Sequence, residues 1–400
     1  MRPIGNLDVV DPINGCSGWG LDPDTPYANI AIHFYANAEA GTPGSVFLGS
    51  TTANLPRPDV NSATGYPGNH GFNWVMPTYF MTPFRPKIYA YAIDTSGSGI
   101  NPLLGGAPKI MPFLVRTITN NASTWPITIS ASSRWGSAIS SLKWKSLEFI
   151  DAMDHGRLLQ SACQFYDYIN SWGPECYNPT EAGNDSDGGG EGSSTQIISM
   201  QANANQMTTS CNMAFYCPPG STTDGCSSGP INTTVLSGFT FSKVVTIGIS
   251  AAVSNAERVI KYDTTYQVPN NETHLGYAVF EAIANYVNAG NFTRVLLYDK
   301  LNHTYSQASP TSTFQGTNKP VIISTTDYNW AIGLYTPLVK DNQPYYGYMG
   351  DGTFIKSNYV QQMSNLTAGA SYTFTGYLII GNVSEVMNTL ADLITVYPNT

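Results

Sequence analysis

Tyr372-Thr373-Phe374-Thr375-Gly376-Tyr377-Leu378-Ile379-Ile380 begins by alternating rings with small hydroxylated residues and ends on an apolar run. That is the period-two signature of a β-strand whose faces meet different surroundings. The same period recurs at 127–129, 243–249, 294–298 and 321–323, and in the first quarter of the chain at 30–35 (IAIHFY), 46–48 and 88–93 (IYAYAI). Pro, Gly and Asn clusters such as Asp22-Pro23-Asp24 and Pro67-Gly68-Asn69 punctuate the early strands, as in a small β-sandwich. The pattern predicts an all-β chain: a small sandwich over 1–117, a linker around 120–123, and a large sandwich over 124–400 with a few short helices. Helices are expected at 275–287 (LGYAVFEAIANYV), where apolar residues fall at helix-like spacing, and at 384–394, framed by Ser384 and Asp392. The polar, glycine-rich stretch 183–194 reads as a mobile loop beside a site.

Composition narrows the classes. Of 400 residues 11% are charged, 12% aromatic and 42% hydrophobic, with a formal net charge of -9. A disordered tail, a coiled coil and a nucleic-acid binder are excluded by that balance. No apolar run is long enough to span a membrane, and the start after Met1 carries no signal-peptide core, so a secreted form is expected to have lost its leader. Six cysteines, at 16, 163, 176, 211, 217 and 226, contain no CxxC pair. Disulfides suit them better than zinc, with Cys163–Cys176 and a pairing within Cys211, Cys217 and Cys226 as the local expectations, buried thiols being the alternative. Eight Asn-X-Ser/Thr sequons, at Asn121, Asn184, Asn232, Asn271, Asn291, Asn302, Asn365 and Asn382, barely exceed the roughly six that chance supplies. No phosphate loop, HExxH, GxSxG or kinase signature is present, and the 183–189 loop lacks EF-hand spacing, so neither metal nor cofactor is expected.

Two resemblances follow from particular strings. Gly18-Trp19-Gly20-Leu21-Asp22-Pro23-Asp24, Ile32-His33-Phe34-Tyr35, 53–60, Gly68-Asn69-His70-Gly71-Phe72 and 89–94 resemble the immunoglobulin-like accessory modules of secreted bacterial proteins, which imply no reaction. Arg134-Trp135-Gly136-Ser137-Ala138-Ile139-Ser140-Ser141-Leu142-Lys143-Trp144, then 148–151 and Asp154-His155-Gly156-Arg157, are similar to the opening of galactose-mutarotase-like β-supersandwich domains, and 377–381 with the following helix to their exit. That resemblance implies a fold shared by epimerases, glycoside hydrolases and polysaccharide lyases. The epimerases' catalytic histidine and glutamate signature is not recognisable, so simple mutarotase activity is not implied.

The densest polar constellation runs from Asp154 to Glu181. His155 and Arg157 alternate by two and would share a strand face, as proton donor and carboxylate clamp. Glu175 and Glu181 flank a loop and supply the two carboxylates that glycoside hydrolysis needs. His274 and Glu281, near Glu272, form a second candidate set. Arg134, Trp135, Gln160, Tyr177 and Asn178 are the candidate substrate-binding residues. Each has a plain structural alternative: His155 and Arg157 pairing with Asp151 or Asp154, the glutamates as loop acids, and Trp135, Trp144 and Trp172 as core. His33, His70 and His303 read as structural. The expected partner is an extracellular glycan, neutral rather than anionic, at an extracellular or cell-surface location. Binding without turnover and self-assembly into a coat or filament stand as alternatives.

Overall fold

The computed structural model describes residues 1–76, 85–95, 97, 99–120, 124–167, 174–188, 192–221, 232–249, 252–337 and 345–398. Asn121, Trp172, Cys226 and positions 189–191 of the polar loop lie outside them. The chain forms two compact units, Met1–Leu114 and Val115–Thr400. Strand Val115–Thr119 pairs with Ile127–Ser132, so the division falls before this strand and not after Thr117.

In the first unit, Ile4–Asp11, Gly15–Leu21, Asn69–Trp74 and Leu55–Pro56 make one antiparallel sheet, and Val46–Thr52, Ala31–Ala36, Lys87–Ala92 and Lys109–Ile110 the other. Alternation decides what is buried. Ile32 and Phe34 enter the core with Leu7, Phe72 and Ile88, while His33 packs on Phe47 instead. Phe34 stacks on Trp74 at 4.4 Å.

The second unit is a two-layered antiparallel β-structure. One layer runs Leu159–Asp167, His274–Val287, Ile355–Leu366, Tyr346–Gly350. The other runs Gln206–Phe215, Leu236–Ile247, Val259–Gln267, Ser371–Gly381, Ala331–Tyr335. Rings from both layers meet between them, with Tyr266 4.8 Å from Phe280 and Phe165 5.4 Å from Phe239. The helix Val383–Val396 lies against Tyr335, Tyr377 and Ile379. Its N-cap is Asn382, which forms a capping box with Glu385, so the start lies just ahead of the expected Ser384. No helix among the described residues is long and apolar enough to cross a membrane.

Residues 275–287 are not a helix. They belong to the strand His274–Val287, bonded on both edges. Both ladders slip by one residue just after Glu281, before Ile283 in one and before Ala284 in the other, marking a β-bulge at Ala282. The bulge switches the parity of the buried face, so Phe280, Ile283 and Val287 are all fully buried. Their i, i+3, i+7 spacing imitates a helix. Side chains satisfy backbone groups released at the bulge: the Ala282 carbonyl accepts from Ser161 Oγ of the neighbouring strand at 2.9 Å, and the Glu281 carbonyl from the Tyr266 hydroxyl of the other layer at 3.1 Å.

Cys16, Cys163, Cys211 and Cys217 are thiols, so neither expected local disulfide forms. Cys163 and Cys211 are enclosed by the core on strand interiors, where a side chain serves as a small hydrophobe; desolvation raises both thiols above their ordinary pKa.

Candidate functional site

The bulge builds a cleft. Val279 and Glu281 before it, and Ala284 and Tyr286 after it, all line the same hollow, which a regular strand could not arrange because 281 and 286 differ by an odd number. The neighbouring strands present Gln160, Ala162 and Gln164 on one side and Lys356, Val360 and Gln362 on the other. Two adjoining lobes, of about 410 and 530 Å3, share Gln164, Glu175, Glu281, Tyr286, Met349 and Lys356. Phe314 closes one side of the first lobe. Its ring rests directly on Gly347, where a Cβ would fall 1.9 Å from the ring, so any larger residue there would have to displace Phe314.

Glu281 accepts from Asn358 Nδ2 at 2.7 Å and faces Lys356 Nζ at 3.5 Å. Glu175 stands on the short 3-10 turn Pro174–Tyr177 and accepts from Gln164 at 3.1 Å and Asn178 at 2.7 Å. Burial alone would lower the Lys356 pKa, but Glu281, Tyr286 and Glu175 outweigh it and hold the ammonium above the ordinary lysine value. Desolvation raises Tyr166, which borders the same lobe. The cleft therefore offers two carboxylates, one cation, several amides and the rings of Tyr166, Tyr286 and Phe314.

Of the residues singled out from sequence, Glu175, Glu281, Gln160 and Asn178 line this cleft; Gln160 also ties the chain together, donating to the His155 and Arg157 carbonyls. The others do not line it. His155 is buried against Trp135, with ring centroids 4.6 Å apart, and its Nδ1 donates to the Ala182 carbonyl at 2.6 Å. Desolvation lowers its pKa. Arg157 lies 3.3 Å from Asp151 and 3.9 Å from Asp154, the structural pairing. Arg134 covers the Trp135 ring at 4.8 Å. Glu181 is fully enclosed, accepting from Ser137 Oγ at 2.7 Å and from Lys243 Nζ. His274 and Tyr177 belong to an aromatic cluster with Phe165, where both engage Glu272. His155 and His274 thus occupy separate packing environments.

The described part of the 183–194 loop is pinned rather than mobile. Asn184 caps the turn Asp185–Asp187, and Asp187 accepts from the Ser194 amide and hydroxyl at 2.7 and 2.8 Å. Lys356, Gln164 and Gln362 were missed from sequence. Alternation within 355–366 was the only available signal, and a lysine there reads as a solvent-facing residue.

No family model matches the chain, and no curated protein sequence matches it. Among solved structures it is similar to a protein assigned as an aldose 1-epimerase from Escherichia coli K12, at 10% identity and TM-score 0.37 over 68% of this chain and 100% of that one. A second such protein, from Klebsiella pneumoniae, gives 8% identity and TM-score 0.36 over 79% and 89%. An alpha-galactosidase of glycoside hydrolase family 36 from Geobacillus stearothermophilus gives 8% and 0.35 over 67% and 41%.

Proposed function

We propose that the cleft binds a neutral glycan and that the chain is a carbohydrate-active protein of the extracellular space or cell surface, with its N-terminal sandwich as an immunoglobulin-like accessory module. The observation that carries this reading is the presence of Glu175 and Glu281 in one hollow beside amides and exposed ring edges. Carboxylates and amides bond to hydroxyl groups, and aromatic surface takes up the apolar face of a sugar ring. Lys356 balances one of the two carboxylates, which leaves no excess positive charge to attract a uronate. With four cysteines as thiols, the extracellular placement rests on the low charge and hydroxyl-rich composition.

The test is a panel of neutral oligosaccharides, scored for binding by calorimetry and for released reducing ends. Binding that weakens about tenfold in Glu281→Gln and in Glu175→Gln supports the reading. Reducing ends that vanish in both variants assign the pair as the acid and its partner in hydrolysis. Neither binding nor turnover across the panel overturns it.

A further inference from the structure

A second hollow, of about 600 Å3, opens on the face of the other layer. Its floor is set by register. Gln206 lies opposite Thr246, Thr246 opposite Lys261, and Lys261 opposite Tyr377, so four adjacent strands place one row of side chains across the sheet. Four strands span roughly 14 Å, enough for a short run of sugar rings. The next rung aligns Asp263 with Thr375.

These groups are already oriented by each other. Gln206 Nε2 donates to Thr246 Oγ1 at 3.1 Å, Lys261 Nζ to Asp263 at 2.7 Å, and Thr375 Oγ1 to Asp263 at 2.6 Å. The lysine and aspartate cancel in charge but stay partly open, with side chains 40% and 28% exposed. An aromatic wall stands at one end: Tyr335, Tyr377 and Tyr397 are stacked in succession, at 6.2 and 5.3 Å, and Tyr397 is the outermost ring, half-buried. Among the described residues, the helix packed on this layer ends at Val396, and Tyr397 just after it lines the hollow.

We infer that this row is a second saccharide-binding site, independent of the cleft, for a neutral glycan laid across the strands with a ring against Tyr397. Alternating donors and acceptors with no net charge suit hydroxyl groups, whereas a phosphate or an acidic chain would need an uncompensated cation. The aromatic end supplies the apolar contact that such ligands require. This site lies on the opposite layer from Glu175 and Glu281, so the two readings stand or fall separately.

Affinity electrophoresis in gels containing soluble starch, mixed-linkage β-glucan, xyloglucan or galactomannan separates them. The expected result is that Glu281→Gln keeps a residual retardation by at least one polysaccharide, and that adding Tyr397→Ala or Asp263→Ala cuts that residue about tenfold. Tyr397→Phe, which keeps the ring, should retain it. The carbonyl of Tyr397, not its ring, accepts the Tyr335 hydroxyl, so the helix end stays anchored in the alanine variant, and an unchanged melting temperature verifies this. Retardation lost entirely in Glu281→Gln overturns the second site and leaves the cleft standing. Retardation lost only in Tyr397→Ala does the reverse. No retardation by any of the four overturns the second site.

Discussion

Lys356 Nζ lies 3.5 Å from Glu281 Oε1 and 4.7 Å from the centre of the Tyr286 ring. One cation can reach both only because the bulge at Ala282 turns Glu281 and Tyr286 to the same side of their strand. The cleft floor is thus the consequence of a single extra residue.

Lys356→Met should destabilise the protein by about 3 kcal/mol, because it leaves the largely buried Glu281 carboxylate without its cation. The sign of the pH dependence follows from the raised lysine. Its contribution is complete below the unfolded value of about 10.4 and is lost as pH rises through the higher folded one. Urea titrations should therefore give a constant gap between wild type and variant from about pH 6 to 9, narrowing at higher pH. A gap that is absent at neutral pH would show that the pair contributes nothing.

Lys243 and Glu181 form a second enclosed pair among the described residues, with both side chains at 0% exposure. Lys243 also donates to the Ser137 carbonyl at 2.7 Å, and Glu181 Oε2 has no hydrogen-bond partner. Breaking a buried pair by removing one ion costs about 3 to 5 kcal/mol, while replacing both by apolar residues is often neutral. Lys243→Met alone should be strongly destabilised, and the double variant Lys243→Met with Glu181→Leu should recover most of the loss. Glycan binding by the recovered double variant should equal wild type, as expected of a structural pair; loss of binding with stability intact would assign Glu181 to the site.

The period-two stretches were legible because each has one face in a core. Residues 30–35 and 88–93 both became strands at those positions, shifted by one residue. The strand His274–Val287 was not legible, because a bulge converts alternation into helix-like spacing and local sequence carries no mark of the partner strands that force it. The site was half legible for a related reason. Counting charges along the chain found Glu175, but it also favoured His155, Arg157 and Glu181, whose nearness in sequence reflects one anchored turn region. Lys356 joins Glu281 from a strand some 75 residues later, and only the sheet register brings them together.

The helix start offers a sharp contrast between neighbours. Asn382 Oδ1 accepts from the Glu385 amide at 2.8 Å, and Glu385 Oε2 accepts from the Asn382 amide at 2.9 Å. Asn382→Ala should cost about 1 kcal/mol, while Ser384→Ala, inside the first turn, should cost almost nothing. Denaturant midpoints of the two variants decide it, and a larger loss for Ser384→Ala would move the cap back to the position expected from sequence.

His155 makes stability sensitive to mild acid. Desolvation against Trp135 lowers its pKa, and the Ala182 carbonyl and the nearby Asp187 only partly oppose that. The unfolded chain therefore takes up a proton more readily than the folded one, so the contribution of this residue is full above about pH 6.5 and falls as pH drops through the folded value. The melting temperature should decline between about pH 7 and 5.5. His155→Gln, which cannot titrate there, should lose about 1 kcal/mol at pH 7 from the altered bond to Ala182 but show a flatter decline. The same slope in both proteins would place the acid sensitivity elsewhere. Because His155 does not line the cleft, glycan affinity per folded molecule should be unchanged in the variant, which separates this anchoring role from the proton-donor role that its sequence neighbourhood suggested.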